Sequence, residues 1–480
     1  MRCLALGQAW RDSEGEALLV TVEMPQGLIS RFVGEGIQVQ TLKAAAASLD
    51  DINFTLKALK GFGGGWVVVD GYQFSASYQQ ALVDHGAKVL YFDDYFHLGQ
   101  YPAHITVNQN SYATEKDYKS LGNGKFLLGR DYAVLRREFR NTPLKWKSHA
   151  SEHQQILLTL GGADPSNLTS KIISALKNIS RQSKIQTVLG SASPHLKSVK
   201  ELASGNSQIE VLTDVQNMVP LMLAADLALV SGGTTCWELA YLGVPSLVGI
   251  IAENQVRVAQ ELDRRGAMKN LGVLEQLSAQ EIEKQVVAVL NDHELCKKMS
   301  EAGRRLVDGH GTDRLICHLT DSPLWLRTAA ESDSKLIWQW ANDPVTRSLS
   351  FTQELIPWEG HVAWYKNQME DSQCFFYMAL NTLNQSVGQV RFKGDEAKPG
   401  EAVISVAVAP QSRGKGLGAF LISFATRKLF KDSAFQKVLA YVKQSNEAST
   451  KAFVKAGYKL VRDIEMKGER AFLFEKSRGI

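Results

Sequence analysis

Two glycine-rich turns have the residue types and the position that bind phosphate. In the first, LALVSGGTTCWELAYLGVP, Ser231, Gly232, Gly233, Thr234 and Thr235 stand between an apolar run and a helical pattern. N–H groups freed at a helix start, with no Cβ in the way at the glycines, suit a diphosphate. A turn that uses glycine for backbone geometry alone has the same spacing, so the local motif leaves both interpretations open.

Two further features favour a nucleotide. Glu238 lies one turn inside the same helix, where a carboxylate can accept hydrogen bonds from both hydroxyls of a ribose; a favourable charge near a helix N-terminus is the alternative. The second turn, LLTLGGADPSNLTSKI, places Gly161, Gly162, Asp164 and Asn167 at the end of another apolar run. Because ligands of open α/β sheets bind at the carboxyl ends of the strands, the two turns together predict a nucleotide site.

A third glycine-rich turn lies near the carboxyl end of the chain, in VISVAVAPQSRGKGLGAFLISFATRKLF. It follows a β-branched strand and precedes a long helical pattern, so successive N–H groups at the helix start can bind a pyrophosphate. Arg413 and Lys415 add positive charge. The alternative is a structural turn in which the glycines only relieve strain.

Alternating apolar runs and helical stretches must position these turns. One series of runs lies at 17–24, 36–42, 66–70, 87–94 and 104–110, and a second at 155–162, 184–190, 208–214, 227–233 and 245–251. Continuous Val-rich runs between amphipathic segments indicate parallel sheets covered by helices on both faces. A charged, irregular stretch predicts a domain boundary near residues 140–153, and a change of pattern predicts another near 320.

The last part of the chain predicts a mixed α+β unit. Its strands are expected at 324–328, 374–380, 386–393, 402–409 and 437–443, and its helices at 333–342, 358–370, 416–430 and 446–456. A length of 480 residues agrees with about three domains, since one hydrophobic core seldom grows so large. The net charge of +4 is too small and too evenly spread to indicate nucleic-acid binding.

Cysteine usage and apolar runs exclude further classes. The five cysteines form no CxxC or CxxxC pair, which argues against a disulfide framework and against a zinc site. No apolar run approaches the roughly 18 residues that cross a bilayer, and the start of the chain turns polar too soon for a signal peptide. We therefore expect a cytoplasmic protein with no membrane or nucleic-acid partner.

Seven segments, taken in order, resemble one enzyme family. They are RCLALGQAWRD, VVVDGY, YFDD, VNQN, LLTLGGADPSN, SGGTTCWELAYLGVP and IIAENQVRVAQEL. They look like the UDP-2,4-diacetamido-2,4,6-trideoxy-β-L-altropyranose hydrolases of pseudaminic acid biosynthesis, relatives of the GT-B glycosyltransferases. The resemblance implies two Rossmann-like domains, at 1–145 and 150–318, with UDP in the second and the sugar in the cleft between them. Water would attack the anomeric carbon, and UDP would leave.

The same resemblance implies roles for single residues. Those that would bind the substrate are Gly161, Gly162, Ser231, Gly232, Gly233, Thr234, Thr235, Glu238, Asn254 and Gln255. Tyr72 and Asn254 would lie near the reacting sugar, although a loop tyrosine can equally pack against its neighbours. Asp93 and Asp94 are candidate acid–base groups, and an Asp pair that ends a strand more often caps the following turn.

One part of the family pattern is missing. Family members carry a strand and a Gly-x-Gly-His turn just before the Arg-Cys-Leu-Ala-Leu helix, and that histidine is the expected base. Here Met1 stands inside the helical pattern, and none of His85, His97, His104 and His153 lies in a matching motif. Either the sequence starts at an internal methionine of a longer protein, or a natural remnant has lost hydrolysis. We favour the first, because a parallel sheet without its central strand leaves main-chain groups unpaired.

The third turn fits a second family. It matches the Q/R-x-x-G-x-G/A signature of GNAT N-acetyltransferases, and residues 322–480 look most like those that acetylate the 4-amino group of the UDP-linked pseudaminic acid precursor. The resemblance implies acetyl-CoA as the cofactor. Its ligands would be Val406, Val408, Gln411, Arg413, Gly414, Lys415, Gly416, Leu417, Gly418 and Asn446. Asn446 can also cap its helix.

The proton-transfer groups of that family are replaced here. Val403 and Phe453 occupy the positions at which many GNAT enzymes carry Glu and Tyr. Glu401 lies on the same side of its strand as Val403 and is a substitute base, while Tyr441 and Tyr458 are substitute acids. A solvated edge charge and core-packed aromatic rings are the alternatives.

The two resemblances support each other, because acetylation of the 4-amino sugar directly precedes UDP removal in that pathway. The leading hypothesis is a bifunctional enzyme that acts on UDP-linked deoxyamino sugars. One alternative is a GT-B glycosyltransferase fused to an acetyltransferase. Another is an acetyltransferase whose first part only binds the UDP-sugar.

Overall fold

A computed structural model describes residues 1–143, 154–162, 164–179, 183–394 and 397–479. The chain divides into two units, Met1–Ile316 and Cys317–Ile480. The boundary expected near 140–153 falls largely on 144–153, which lie outside the described residues. Within the described ranges, no helix has both the length and the apolar character that a membrane crossing requires.

Helices and short strands alternate along the first part of the first unit. Their bounds are α1 Arg2–Asp12, β1 Leu18–Thr21, α2 Gln26–Gly34, β2 Gln38–Thr41, α3 Leu49–Gly61, β3 Trp66–Asp70, α4 Ala76–Asp84, β4 Lys88–Phe92, β5 Ile105–Asn108, α5 Glu115–Tyr118, β6 Lys125–Leu128 and α6 Arg137–Arg140. All of the strand pairs here are parallel. This agrees with the helical stretches that separate the apolar runs, because parallel neighbours need a crossover.

These strands form two sheets. Among the described strands β1 pairs with β2 alone, and a second sheet has the order β3-β4-β5-β6. Helix α1 contacts both sheets, because Leu4 lies in a small apolar cluster with Leu19 of β1, and Arg2 forms an ion pair with Asp70 at the end of β3. The helix thereby fixes the two sheets relative to each other.

The second part of this unit repeats the alternation. Its elements are β7 Gln154–Thr159, α7 Leu168–Leu176, β8 Ser183–Leu189, α8 Leu196–Ala203, β9 Ile209–Thr213, α9 Val219–Ala224, β10 Leu227–Ser231, α10 Thr235–Leu242, β11 Ser246–Ile250, α11 Val256–Arg264, β12 Lys269–Val273, α12 Ala279–Leu290, α13 His293–Leu306 and α14 Gly311–Leu319, the last of which crosses the boundary between the units. The strands form one parallel sheet in the order β12-β11-β10-β7-β8-β9. Its central position makes β10 the strand whose carboxyl end is best placed to present a ligand site.

Helices cover both faces of this sheet. Successive residues of β10 point into different cores, since Val230 packs in a cluster with Trp237 of α10 and Leu229 packs in another with Ile172 of α7. Every residue of β10 and β11 is therefore buried. Burial on both faces explains why these strands read as continuous apolar runs rather than as an alternating pattern.

The second unit contains one mixed sheet. Its elements are β13 Trp325–Thr328, α15 Ser334–Ala341, α16 Pro344–Ser348, α17 Trp358–Glu370, β14 Cys374–Leu380, β15 Ser386–Gly394, β16 Glu401–Val408, α18 Leu417–Asp432, β17 Lys437–Lys443, α19 Glu447–Lys455, β18 Lys459–Met466 and β19 Glu469–Ser477. The strand order is β13-β14-β15-β16-β17-β19-β18. The neighbours are antiparallel except for β16 and β17, which are parallel. The predicted class, parallel Rossmann-like sheets followed by an α+β unit, is confirmed.

We expect the amide hydrogens of β1 and β2 to exchange at least about 100-fold faster than those of β10 and β11. The residues of β1 are only partly buried and three of the four residues of β2 are exposed, whereas every residue of β10 and β11 is buried. Hydrogen–deuterium exchange followed by mass spectrometry measures the difference. Equal protection of the two strand pairs would contradict the separate two-stranded sheet.

Candidate functional sites

A cavity of about 360 Å³ lies in the first unit, where the turn after β10 approaches the ends of β3 and β4. The predicted residues in its lining are Tyr72, Gly232, Gly233, Thr234, Asn254 and Gln255. The other lining residues are Met1, Arg2, Asp70, Asp94, Gln109, Asn110, Trp237 and Val258. The carboxyl ends of parallel strands supply most of these groups, as is usual for ligand sites of α/β sheets.

The turn after β10 is held by a glutamine side chain. The Oε1 atom of Gln255 accepts hydrogen bonds from the N–H groups of Gly232 at 3.2 Å and of Ile251 at 3.1 Å. A Cβ at Gly232 would lie 2.9 Å from the Cβ of Gln255, so this close approach requires glycine. Ser231 is buried, and its hydroxyl donates to the Leu160 carbonyl at 3.1 Å. Ser231 and Gln255 therefore shape the turn.

The next residues leave main-chain donors available. Thr234 precedes α10, and the helix start has no side-chain cap. Within the described residues, no acceptor is recorded for the N–H groups of Thr234 and Thr235. Two N–H groups at the start of a helix that have no acceptor among the described residues, beside a glycine with open space around it, are suited to bind phosphate oxygens.

Glu238 forms an ion pair with Arg136, and neither residue lines this cavity. Its carboxylate accepts from Nε of Arg136 at 2.8 Å, and Arg136 also pairs with Glu138 at 2.9 Å. All of these side chains are at least five-sixths buried, so the guanidinium compensates the buried carboxylates. A ribose bound here would share Glu238 with Arg136, and the ribose contact stays a prediction.

The turn after β7 differs from the turn after β10. Asp164 is buried, and its carboxylate accepts hydrogen bonds from the N–H groups of Leu168 at 3.0 Å and of Thr169 at 2.9 Å. The start of α7 is thus satisfied by the protein itself. Gly161 and Gly162 are exposed and are not part of the cavity lining. Their predicted contact with substrate remains untested.

Tyr72 and Asn254 meet across the cavity. The Tyr72 hydroxyl donates to Oδ2 of Asp94 at 2.8 Å and accepts from Nδ2 of Asn254 at 2.8 Å. Burial and the Asp94 carboxylate raise the pKa of Tyr72 above its ordinary value. The tyrosine is therefore a neutral hydrogen-bonding group at neutral pH, and it links residues that are 182 positions apart in sequence.

Arg2 holds the two carboxylates of the cavity. Its guanidinium lies 2.6 Å from Oδ1 of Asp70 and 2.6 Å from Oδ1 of Asp94. Burial disfavours the charged guanidinium, but the two carboxylates outweigh that effect and raise the pKa of Arg2. The three side chains line the cavity with charged groups, which offer hydrogen-bond donors and acceptors to the hydroxyl and amino groups of a sugar.

The structure separates Asp93 from Asp94. Asp93 is fully buried and accepts hydrogen bonds from the hydroxyls of Tyr101 and Tyr118 and from the N–H of Phe96. It thus caps the turn after β4, which was one of the two interpretations of the sequence. Asp94 lines the cavity, so the acid–base interpretation applies to Asp94 alone.

Several cavity residues had no role in the sequence-based prediction. They are Arg2, Asp70, Gln109 and Asn110, which lie in three of the segments that carried the resemblance: RCLALGQAWRD, VVVDGY and VNQN. A polar residue placed directly after an apolar strand was the available signal. It gives no indication of which polar residues turn towards the cavity.

Replacing each aspartate of the pair should give different results. Asp93→Asn weakens the acceptor of four polar groups, since His97 Nδ1 also lies 3.1 Å from the carboxylate, so we expect the free energy of unfolding to fall by about 3 kcal/mol. Asp94→Asn should cost about 1 kcal/mol, because its carboxylate is partly exposed and Asp70 still pairs with Arg2. Urea denaturation of the two variants measures both values. Equal losses would contradict the division into a structural and a cavity carboxylate.

In the second unit, two parallel strands diverge. β16 and β17 pair at Glu401 with Lys437, Ala402 with Val438 and Val403 with Leu439, and no later pairs are recorded between these described strands. Beyond Val403, β16 stays paired with β15 alone, through Val408. The predicted cofactor ligands Val406 and Val408 therefore lie along a gap, where main-chain groups can bind an amide-containing chain.

The signature turn lies at the open end of this gap. Gly414 and Gly416 both have φ of +76°, a left-handed conformation that favours glycine. Gly416 precedes α18, whose start has no side-chain cap, so its first N–H groups can bind a pyrophosphate. Gln411 and Lys415 are exposed beside it. Gly418 would bring a Cβ to 3.7 Å from Ala452, which is ordinary contact.

The other predicted residues of this unit have protein partners. Arg413 pairs with Asp343 at 2.7 Å and donates to the Val408 carbonyl at 3.3 Å, so it also fixes the turn to β16. Asn446 caps α19 by accepting from the N–H of Ser449 at 3.0 Å. Leu417 begins α18 and packs partly against the core. These contacts are compatible with cofactor binding by the same loop.

The two predicted proton-transfer groups lie in different surroundings. Glu401 is partly exposed and pairs with Lys437 at 3.2 Å, two residues before the strands diverge. Tyr458 is buried in the core, its hydroxyl lies 2.7 Å from the hydroxyl of Thr426, and burial raises its pKa. Tyr441 lies on β17 beyond the last pair with β16 and is partly exposed. The structure therefore brings Tyr441, rather than Tyr458, to the gap.

Comparison with known families identifies the two kinds of domain. Residues 323–459 match the family model of the acetyltransferase (GNAT) domain. The chain carries a GNAT acetyltransferase domain. The prediction of acetyl-CoA as its cofactor is confirmed at the level of this domain class. Residues 156–310, which include the turn after β10, match the model of the glycosyltransferase family 28 C-terminal domain.

Similar proteins cover the chain to different extents. An uncharacterized protein of Methanocaldococcus jannaschii is 22% identical over 478 residues, which is 95% of this chain and 93% of that protein. The spore coat polysaccharide biosynthesis protein SpsG of Bacillus subtilis is 30% identical over 202 residues, 42% of this chain and 59% of SpsG. A spermidine N-acetyltransferase structure from Vibrio cholerae is 17% identical, with a TM-score of 0.30, over 32% of this chain and 96% of that protein.

Gly416→Ala should weaken acetyl-CoA binding. Alanine at a φ of +76° costs about 1 kcal/mol and turns the adjacent N–H groups, so the Kd for acetyl-CoA should rise about tenfold. Gly360→Ala is a matched control, since it lies in α17 without a positive φ and a Cβ there meets nothing within 4 Å. Titration calorimetry measures both. An unchanged Kd in a folded Gly416→Ala variant would exclude this turn as the pyrophosphate site.

Proposed function

We propose that the chain is a bifunctional enzyme of deoxyamino-sugar biosynthesis. The second unit acetylates a UDP-linked 4-amino sugar with acetyl-CoA. The first unit hydrolyses the resulting UDP-2,4-diacetamido-2,4,6-trideoxy sugar to free sugar and UDP. The carrying observation is the GNAT signature turn at the open end of a gap between two parallel strands, inside a region that matches the GNAT model.

In the acetyl transfer, the amine of the acceptor attacks the thioester carbonyl. A C–N bond forms, the C–S bond breaks, and coenzyme A leaves as a thiolate that takes up the proton released by the amine. Val406 and Val408 bind the pantetheine chain along the gap, and the free N–H groups before α18 bind the pyrophosphate. Glu401 and Tyr441 are the proton-transfer groups nearest to the point where the strands diverge.

In the first unit, water attacks the anomeric carbon and the C–O bond to UDP breaks. The N–H groups of Thr234 and Thr235 hold the diphosphate as it gains negative charge. Asp94 accepts the proton of the attacking water, and Tyr72 and Arg2 hold the carboxylate in place. The match of residues 156–310 to a glycosyltransferase domain and the likeness to a spore coat polysaccharide protein support a nucleotide-sugar substrate.

The glycosyltransferase match also favours a second candidate. A hydroxyl group of an acceptor sugar can replace water in the same geometry, because the same base takes its proton. The first unit would then transfer the sugar rather than release it. Reactions run with and without added hydroxyl acceptors, and analysed by mass spectrometry, separate the two activities.

Tyr72→Phe should separate the two proposed activities. The change removes the hydroxyl that links Asp94 to Asn254, so kcat for UDP release should fall about 10- to 100-fold. Acetyl transfer should stay the same, since it belongs to the other unit. Tyr132→Phe serves as the control, because Tyr132 does not line the cavity. A coupled assay for UDP and a thiol assay for coenzyme A measure the two rates.

Two results would contradict the proposal. If the 480-residue chain forms no coenzyme A from acetyl-CoA and a UDP-4-amino sugar, the acetyltransferase assignment fails. If it acetylates the sugar but releases no UDP, the hydrolase assignment fails and the first unit only binds the nucleotide sugar.

A further inference from the structure

One face of the GNAT sheet carries an arginine that pairs with no carboxylate among the described residues. Strand β15 lies next to β16 and presents Gln389, Arg391 and Lys393 on the face that α17 partly covers. Lys393 pairs with Asp371. Arg391 has no ion pair with any described residue; its only hydrogen bond within the described chain goes from Nη1 to Oε1 of Gln368, at 2.9 Å.

Burial removes water from the Arg391 guanidinium, so its positive charge is energetically unfavourable in this environment. The guanidinium carbon lies 4.9 Å from the ring centre of Trp364, and burial lowers the pKa of the side chain. A guanidinium has five N–H donors in a fixed fork, and only one of them has an acceptor here. Stacking on one ring compensates part of the lost hydration, and an anion held by the free fork would compensate the rest.

A second polar group on the same face also lacks a partner. The Oε1 atom of Gln389 is buried and accepts no hydrogen bond within the described residues. Gln389 stands opposite Ala407 of β16, and Arg391 stands opposite Ser405, whose side chain is exposed. Both therefore lie one strand away from the gap in which the cofactor is proposed to bind, about 5 Å in the sheet.

The other face of the gap is closed. Val406 and Val408 pack against the apolar core that contains Leu421 and Ala425 of α18. On the opposite face, which carries Gln389 and Arg391, Ser405 is exposed and Ala407 is partly exposed, so an acetyl acceptor has access to the gap from that face. Gln389 and Arg391 thus lie on the path of the amine that receives the acetyl group. Gln389 offers one hydrogen-bond acceptor, its Oε1 atom, and Arg391 offers a guanidinium group that can bind an anion.

We propose that Gln389 and Arg391 form the acceptor-binding half of the acetyltransferase site and select amines that carry a phosphoryl group. Gln389 accepts an N–H of the attacking amine and leaves the nitrogen lone pair free to attack. Arg391 binds the phosphoryl oxygens. The two side chains leave β15 about 7 Å apart, a span that fits an amine and a phosphate on opposite carbons of one pyranose ring.

This inference rests on the proposed acetyltransferase function and deepens it, because it names the anionic part of the acceptor as the group that is recognised. It places no demand on the first unit. A UDP-linked 4-amino sugar meets the requirement, and so does any 4-amino sugar 1-phosphate.

The test compares two acetyl acceptors on the 480-residue chain. One is a 4-amino-4-deoxy sugar 1-phosphate, and the other is the same amino sugar without phosphate. We expect the wild type to prefer the phosphate ester. Arg391→Met should raise KM for the phosphate ester about 10- to 100-fold, the value of a charge-assisted hydrogen bond pair, and leave KM for acetyl-CoA and kinetics with the neutral sugar within about twofold.

Three further variants make the result specific. Arg391→Lys keeps the charge but not the fork, and it should recover part of the preference. Lys393→Met removes a neighbouring cation that already has a carboxylate partner, and it should leave the preference unchanged. Gln389→Leu should lower kcat/KM for both acceptors, because the amine is common to them.

The outcomes distinguish the two levels of the proposal. If Arg391→Met changes KM for neither the phosphate ester nor the neutral sugar, the inference is wrong. It is also wrong if Arg391→Met lowers kcat/KM equally for both amines while Lys393→Met does not, because Arg391 then has a structural role. If the methionine variant does not fold, the same comparison of KM for the two amines is made with Arg391→Lys. If a carboxylate analogue of the sugar phosphate is acetylated equally well, the site recognises anions generally and not phosphoryl groups. If the wild type acetylates no amine, the acetyltransferase function itself is refuted.

Discussion

Main-chain groups left unpaired at the ends of parallel strands determine both candidate sites. In the first unit, β10 stops at Ser231, and the chain turns into α10 before its first N–H groups find acceptors. In the second unit, β16 leaves β17 after Val403. Each break would be costly in a buried position unless a ligand or water occupied it. The fold accepts this cost where phosphate and amide groups are expected to bind.

The side chains around each break have a supporting role that the sequence motifs do not state. Gln255 and Ser231 hold the turn after β10, and Arg413 ties the signature turn to β16 and to Asp343. All of them lie inside motifs that are usually associated with the ligand. A substitution at such a residue therefore changes the geometry of the turn before it changes any direct contact.

The sequence predicted the elements that have continuous apolar runs, and it missed those without them. Strands β3, β14 and β17 lie at the predicted residues, because each is a short apolar run bounded by glycine or polar residues. The strands β6, β12, β18 and β19 were not predicted. They lie towards the edges of their sheets, where partly exposed positions weaken the hydrophobic pattern.

The parts of the candidate sites that depend on backbone conformation could be predicted from the sequence. The parts that depend on side-chain contacts were harder to predict. Glycine turns predicted the positions of Gly232 and Gly416, because left-handed or crowded backbone restricts the residue type. Side-chain partners depend on residues distant in sequence. Arg136 beside Glu238 and Thr426 beside Tyr458 have no local signal, so these partners could not be foreseen, although core packing was one of the two interpretations of Tyr458.

The hydrogen bond between Tyr72 and Asn254 also constrains the order of events in time. It joins two residues that line the cavity, so any ligand that lay between these side chains would require the bond to open. For such a ligand, the frequency with which this bond opens would set an upper limit on the rate of association. If such a ligand carried a diphosphate, it could first bind the turn after β10 and remain there until the hydrogen bond between Tyr72 and Asn254 opened.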